Sequence, residues 1–525
     1  MHHNGPFSIP AIHQFVPEKL KPAILILFVL VFQFSGGIYL ASANEMVGGM
    51  ALMQEDILMA GFASLAGMAL VFAYMLRLKM RFSSKFAFLV CSVALIICNL
   101  ICLYTDNVAV LVATCFFAGI FRMWATFECN STIQLWITPK RDLSIFFCYV
   151  YLLVQGSILL SGIPNLYLTL FFNWQYMHWL VVGALLMVVL LTLLLFTSRR
   201  VMKPFPLFGI DWLGGFMWGL ILLCVNFICI YGEHLDWWSS SKIQTAAFFL
   251  IVLLILNIYR ASFIRHPFIA LQTFRYKAVY MPLVLYLVVD ICLAPAHLIE
   301  HIYFEAILRY DPAHLVHVNL MGFGGVVAGA GFAYYFFALK KHSYKLTFLA
   351  GFGAILMYLF MMYFMIDYQT SKAMLIAPVF FRNFGYVVIA IVLITNLVKV
   401  PFHHFFQAVS VQAFMSAACG SAIGSAVLHH YFSGVATKNF QLLSANFDRV
   451  NQQLFRLDPE SLGILLQKQV LMVSFKELYG YLLIFGILCF VVFLFYRYPY
   501  LPVKALYPKM RTIRRMLRKE IAGEV

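Results

Sequence analysis

Apolar residues along this chain do not alternate; they gather into blocks of about twenty, separated by short polar stretches that hold nearly all of the Lys and Arg. Fourteen blocks stand out, at 23–43, 57–76, 86–104, 107–127, 143–163, 176–196, 212–231, 243–259, 279–299, 316–338, 346–366, 373–395, 405–428 and 478–496. A block of this length satisfies its backbone in lipid only as a helix, and the two-residue period of a β-barrel strand is missing. The pattern predicts an all-α membrane protein, a polytopic bundle of 14 transmembrane helices. The first block lacks a small-residue cleavage site after it and reads as an uncleaved span.

The basic residues test that count. With the N-terminus placed in the cytoplasm, 27 Lys and Arg fall in inner loops and 8 in outer ones, while Arg122 and Arg382 lie within spans. The asymmetry predicts an even number of crossings with both termini cytoplasmic. One outer stretch departs from the pattern: at 430–477 a long loop carries Phe440, Leu443, Phe447, Val450 and Leu454 at steps of three and four, which predicts an amphipathic helix on the membrane surface or a docking surface for a partner.

Composition narrows the class further. The chain is 63% hydrophobic and 11% charged, against about 25% charged in soluble domains, which excludes an ordinary cytosolic enzyme, a disordered chain and a fibrous protein. The net charge of +16 reads as a topology signal and an affinity for anionic lipid in the tail at 498–525, and nucleic acid is not an expected partner. All 11 Cys lie in apolar runs, so no disulfide framework is expected, and no cofactor is implied.

Ionisable groups inside a bilayer cost roughly 2.5–3.5 kcal/mol each and are functional candidates by default. The ninth block holds the densest set. Asp290, His297 and His301 follow one helical stripe, Glu300 lies about 80° from it, and Pro295 can kink the helix between them. Asp290 is the first candidate for carrying a proton, or else a packing carboxylate satisfied by a Tyr or Ser; His297, Glu300 and His301 either join it or reach the outer headgroups. The string from His297 to His301 also fits the H-x-x-E-H pattern of inverted zinc peptidases, so a zinc-dependent membrane hydrolase is a rival from another class. Arg122 and Glu128 sit six residues apart on different faces of the fourth block; Arg122 is expected to find a carboxylate or carbonyl on another helix, and Arg382 holds a comparable place in the second half. Gly322, Gly324, Gly325, Gly329, Gly331, Gly420 and Gly424 suit close helix approach. Trp174, Trp179, Trp237, Trp238 and Tyr104 read as interfacial anchors.

Several stretches resemble the fourteen-helix drug:proton antiporter branch of the major facilitator superfamily. They are Asn173 to Trp179, Asp211-Trp212-Leu213-Gly214, Tyr231-Gly232 with Trp237 and Trp238, His266 to Leu271 with Phe274-Arg275, Arg382 to Gly385, Gly420 to Gly424, and the run from Gln467 to Phe475. The loop Tyr74 to Lys85 lacks that family's Asp and glycines, and its fifth-helix motif is reduced to Gly156 with Gly162-Ile163-Pro164. The resemblance implies a six-helix bundle over 1–200, two linker helices over 201–265 and a second bundle over 266–497. It implies a non-enzyme that exports hydrophobic or amphipathic small molecules in exchange for protons, by alternating access, in a bacterial cytoplasmic membrane. Asp290 would carry protons, with Glu128, Arg122, Arg382, His297, Glu300 and His301 in coupling or gating; a periplasmic adaptor and an outer-membrane channel would be partners. An importer of the same fold is the alternative within the class.

Overall fold

A computed structural model describes residues 11–36, 46–48, 52–138, 142–198, 207, 209–310, 312–445 and 459–496; the side chains of 135, 169–170, 297–298, 312–315 and 459 lie outside that description. Its long elements are α1 (Leu20–Phe34), α2 (Gln54–Arg81), α3 (Ser84–Tyr104), α4 (Val108–Ile137), α5 (Leu143–Phe171), α6 (Gln175–Leu195) and α7 (Trp212–Tyr231). They continue with α8 (Ser241–Phe263), α9 (Lys277–Ile302), α10 (Pro312–Phe332), α11 (Tyr344–Met365), α12 (Lys372–Asn396), α13 (Phe402–Ser444) and α14 (Pro459–Phe495). Among the described residues, 13 helices are long and apolar enough to cross a membrane, and α1 is a shorter apolar helix. The chain is a multi-pass membrane protein.

The breaks between helices fall where the sequence supplies caps. Ser83, Asn107, Asp142, Asp211, Ser240 and Ser343 each accept a hydrogen bond from the first turn of the helix they precede, worth about 1 kcal/mol per cap. Asp211 does more than cap α7. Its carboxylate pairs with Arg260 of α8 at 2.6 Å and accepts from the Phe268 amide at 3.1 Å, while its carbonyl accepts from the Tyr74 hydroxyl at 2.6 Å. At the other end of α7 the Tyr231 hydroxyl donates to Asp56 of α2. These bonds seat the two intervening helices against the first half.

One apolar core lies among α1–α6, around Phe28, Phe32, Phe88 and Phe196, and a second among α9–α14, around Tyr286, Phe337, Phe348 and Phe475. The pairings repeat. In the first half α2 packs on α4, α3 on α6 and α1 on α5; in the second, α10 packs on α12, α11 on α14 and α9 on α13. Across the middle, α2 meets α13 and α5 meets α10. This is the reciprocal contact of two related bundles. Toward the end that carries Lys79, Arg260 and Lys399, called here the basic end, the halves are joined. Ser410 donates to the Ala69 carbonyl at 2.7 Å, and the Phe127 and Phe406 rings stand 6.2 Å apart.

The stretch after His430 differs from expectation. Among the described residues no separate surface helix starts there: α13 runs as one rod from Phe402 to Ser444, 43 residues, through a π turn at Phe414–Cys419, and no proline or cap ends it at His430. Its far part lies against the middle of α14, where the Asn439 amide donates to Ser474 at 3.0 Å and to Glu477 at 3.1 Å. Phe440 and Leu443 are on this extension, whereas Phe447, Val450 and Leu454 lie outside the described residues. The tail at 498–525 also lies outside them. Trp174 is a second correction: it is buried and packs edge-on to His178, which itself bonds Asn99 of α3 at 3.0 Å, so it is a core residue and not an interfacial anchor.

Candidate functional site

Between the two halves lies a cavity of about 1310 Å³, lined by helices of both. Its lining runs from Lys79 and Lys399 at the basic end to Gln54, Glu233 and His429 at the opposite end.

Asp290 faces this cavity from α9. It is buried, and its Oδ2 has no hydrogen-bond partner among the described residues. The sequence permits this by placing Gly420 and Gly424 opposite it. A Cβ at Gly420 would collide with Oδ2, and one at Gly424 would come within 2.8 Å of the Asp290 carbonyl oxygen. Just before Gly420, residues Phe414–Cys419 open into a π turn, which widens the helix and presents Ser416 to the cavity. Tyr386 stands within electrostatic reach of the carboxylate, and nearby the Gln412 amide donates to the Tyr286 hydroxyl at 3.2 Å. A Tyr or Ser that satisfies Oδ2, the alternative open at the level of sequence, is not seen among the described residues.

Arg122 faces the same cavity from α4 and is 3% exposed. The expected carboxylate or carbonyl is not what it meets. Among the described residues its Nη2 reaches only the Met68 thioether, at 3.4 Å, and its Nε has no acceptor. The guanidinium lies against Gly36, where any Cβ would occupy its place. Glu128, further along α4, pairs instead with Lys79 of α2 and accepts from Ser84 of α3, while Lys79 also donates to Thr132 at 2.9 Å.

Arg382 of α12 has the partner that Arg122 lacks. It forms an ion pair with the buried carboxylate of Glu300, whose other oxygen accepts from Tyr358 at 2.7 Å; the Tyr358 and Tyr479 hydroxyls are 3.2 Å apart. Glu300 therefore points into the second bundle and not toward headgroups, because α9 continues past the expected end of its span, through a π turn at Tyr303–Ile307. His301 diverges from Asp290. It is about half exposed and pairs with Glu305 one turn on, at 2.9 Å. The side chain of His297 lies outside the described residues. A zinc-bound water has no base in Glu300, which is committed to Arg382 and Tyr358, and among the described residues no group of three His, Cys, Asp or Glu is placed to hold a metal.

At the mouth away from the basic end, Glu233 accepts from the Trp237 indole at 2.9 Å and from His430 at 3.2 Å. Partial burial alone would push its carboxyl up, but the hydrogen bonds from Trp237, His430 and Ser433, with the charge of His429 nearby, outweigh it and hold Glu233 below the usual carboxylate range.

Sequence reasoning missed Lys79, Tyr358, Tyr479 and Glu233 as members of these clusters. With 28 Tyr in the chain, two more inside helices carry no signal, and Lys79 reads as a loop charge until α2 is seen to extend to Arg81.

No family model and no curated protein matches this sequence. Solved structures match its fold. The peptide transporter POT in complex with sulfate aligns over 93% of this chain and 96% of its own, with a TM-score of 0.58 and 14% identity. Tetrameric PepTSo2 aligns over 91% and 97%, with a TM-score of 0.56 and 11% identity. A mutant of the nucleoside transporter NupG aligns over 90% and 99%, with a TM-score of 0.54 and 11% identity. The chain has the major facilitator fold that these transporters share.

Proposed function

We propose that this protein is a proton-coupled transporter of the drug:proton antiporter type, which exports hydrophobic or amphipathic small molecules by alternating access. The observation that carries the reading is Asp290, whose buried Oδ2 has no partner among the described residues, in a cavity between two bundles that pack on each other through paired helices. A carboxylate can stay charged while the cavity is wet; when the halves rock and water leaves, taking up a proton removes the cost of its burial. Exposure of Asp290 to one side and then the other would tie proton movement to the cycle. In this reading the bundles are 1–200 and 266–497, joined by linker helices over 201–265. Glu128 with Lys79, and Arg382 with Glu300, hold the helices that rock, Arg122 joins them in coupling, and His297 and His301 gate the end of α9. We place the protein in a bacterial cytoplasmic membrane with both termini inside, and the α13–α14 extension is where a periplasmic adaptor, leading to an outer-membrane channel, would dock.

The test is flux in proteoliposomes under an imposed pH gradient, with a panel of lipophilic ions. The wild-type protein is expected to move substrate uphill in exchange for protons. Asp290→Asn should lose gradient-driven movement while keeping its unfolding midpoint; undiminished flux in that variant removes Asp290 from the mechanism, and flux of substrate in the same direction as protons assigns import.

A further inference from the structure

The charged side chains that face the cavity divide into those with a partner in the protein and those without. Lys79 is held by Glu128, Arg382 by Glu300 and Glu233 by His430, and Lys399 lies over the Tyr344 ring at 4.3 Å. Glu55, half-buried in the first turn of α2, stands beside Gln54 at the end opposite the basic one. At mid-depth, among the described residues, two remain. Arg122 is midway along α4 (Val108–Ile137), and Asp290 is midway along α9 (Lys277–Ile302), each in a different half.

The two differ in what they can do about their burial. A carboxyl can discharge itself by binding a proton, but a guanidinium keeps its charge at any pH a cell meets. Asp290 therefore needs nothing but a proton. Arg122 needs an anion, and none is supplied among the described residues: its contacts are the Met68 thioether, a weak acceptor, and the bare backbone of Gly36. An unpaired buried charge is among the most costly features a fold can keep. Most of the cavity wall is apolar, Phe62, Met68, Met123, Phe127 and Phe147 among it, with Gln33, Asn130 and Gln155 as polar exceptions. We infer that Arg122 is the binding site for an anionic group of the transported compound, which makes the substrate class amphipathic organic anions, bearing a carboxylate, sulfonate or phosphate on an apolar body. The inference rests on the transport reading and deepens it, since it gives the substrate to Arg122 and the proton to Asp290.

The probes are three naphthalene derivatives of matched size: the 1-sulfonate, permanently anionic; the 1-sulfonamide, neutral; and a naphthylmethyl trimethylammonium, cationic. Binding to the purified full chain in an uncharged detergent is measured by calorimetry. The sulfonate should bind about 10- to 100-fold more tightly than the sulfonamide, the range of one charge-assisted contact. Arg122→Gln should erase that preference, Arg122→Lys should keep part of it, and Gly36→Ala should weaken it by displacing the guanidinium. Equal binding of the three probes to the wild-type protein, or a sulfonate preference that survives Arg122→Gln, overturns the assignment; the wild-type comparison decides even if a variant fails to fold. Flux is read separately. A sulfonate that binds through Arg122 but does not move leaves the anion site and sinks the transport reading. Proton-driven movement of the sulfonamide or the ammonium probe in preference to the sulfonate does the reverse.

Discussion

Arg122 and Arg382 occupy the fourth helix of two bundles with the same internal pairings, and they solve the burial of a guanidinium in opposite ways. Arg382 is closed into a network with Glu300, Tyr358 and Tyr479. Arg122 rests on Gly36 and Met68. A paired charge stabilises the bundle that holds it only so long as both partners stay; an unpaired one contributes nothing to the fold and leaves its donors for something else. Both arginines face the cavity, but the second half satisfies its own from within, and the first half leaves its own without an internal anion among the described residues.

The sharpest way to break this contrast is to compare stabilities. Glu300→Ala strands Arg382 and should cost about 3–5 kcal/mol, read from denaturant unfolding in micelles. Glu300→Leu combined with Arg382→Met should recover most of the loss, because the penalty comes from the orphaned charge and not from missing packing. Arg122→Met removes no ion pair, so its stability should stay within about 1 kcal/mol of wild type or rise. A loss there as large as in Glu300→Ala would mean that Arg122 has an internal partner after all, and the two arginines would be equivalent. The smallest effect is expected at the mouth. Because Glu233 is held below the usual carboxylate range, its contribution is present at neutral pH and is lost as pH falls through its folded value. Glu233→Gln should therefore reduce stability at neutral pH, with the difference from wild type shrinking as pH falls below about 4.3, the ordinary Glu value.

The helical blocks were plain in the sequence because lipid demands about twenty apolar residues per crossing, and α3, α6 and α11 begin and end within a few residues of the blocks that predicted them. Helices that outrun the hydrocarbon are another matter. Once past the membrane, polar residues continue a helix as readily as they form a loop, so hydropathy could not tell that α13 reaches Ser444. The same blindness left open whether Glu300 reaches the headgroups, when it lies inside the second bundle. Charges within spans were legible as candidates, since their cost singles them out; their partners were not. Asp290 and Arg122 look alike in sequence to Arg382, and only the placement of Gly420, Gly36 and Glu300 around them separates a bare charge from a satisfied one.

The length of α13 has a mechanical corollary. From Gly420, where the helix backs onto Asp290, to its end at Ser444 is about 36 Å of rigid rod at 1.5 Å per residue. A tilt of about 5° at that pivot sweeps the tip by roughly 3 Å. Any small tilt where the helix backs onto Asp290 would in this way be geared up into displacement at Ser444, where a fluorophore pair or a conformation-selective antibody can register it.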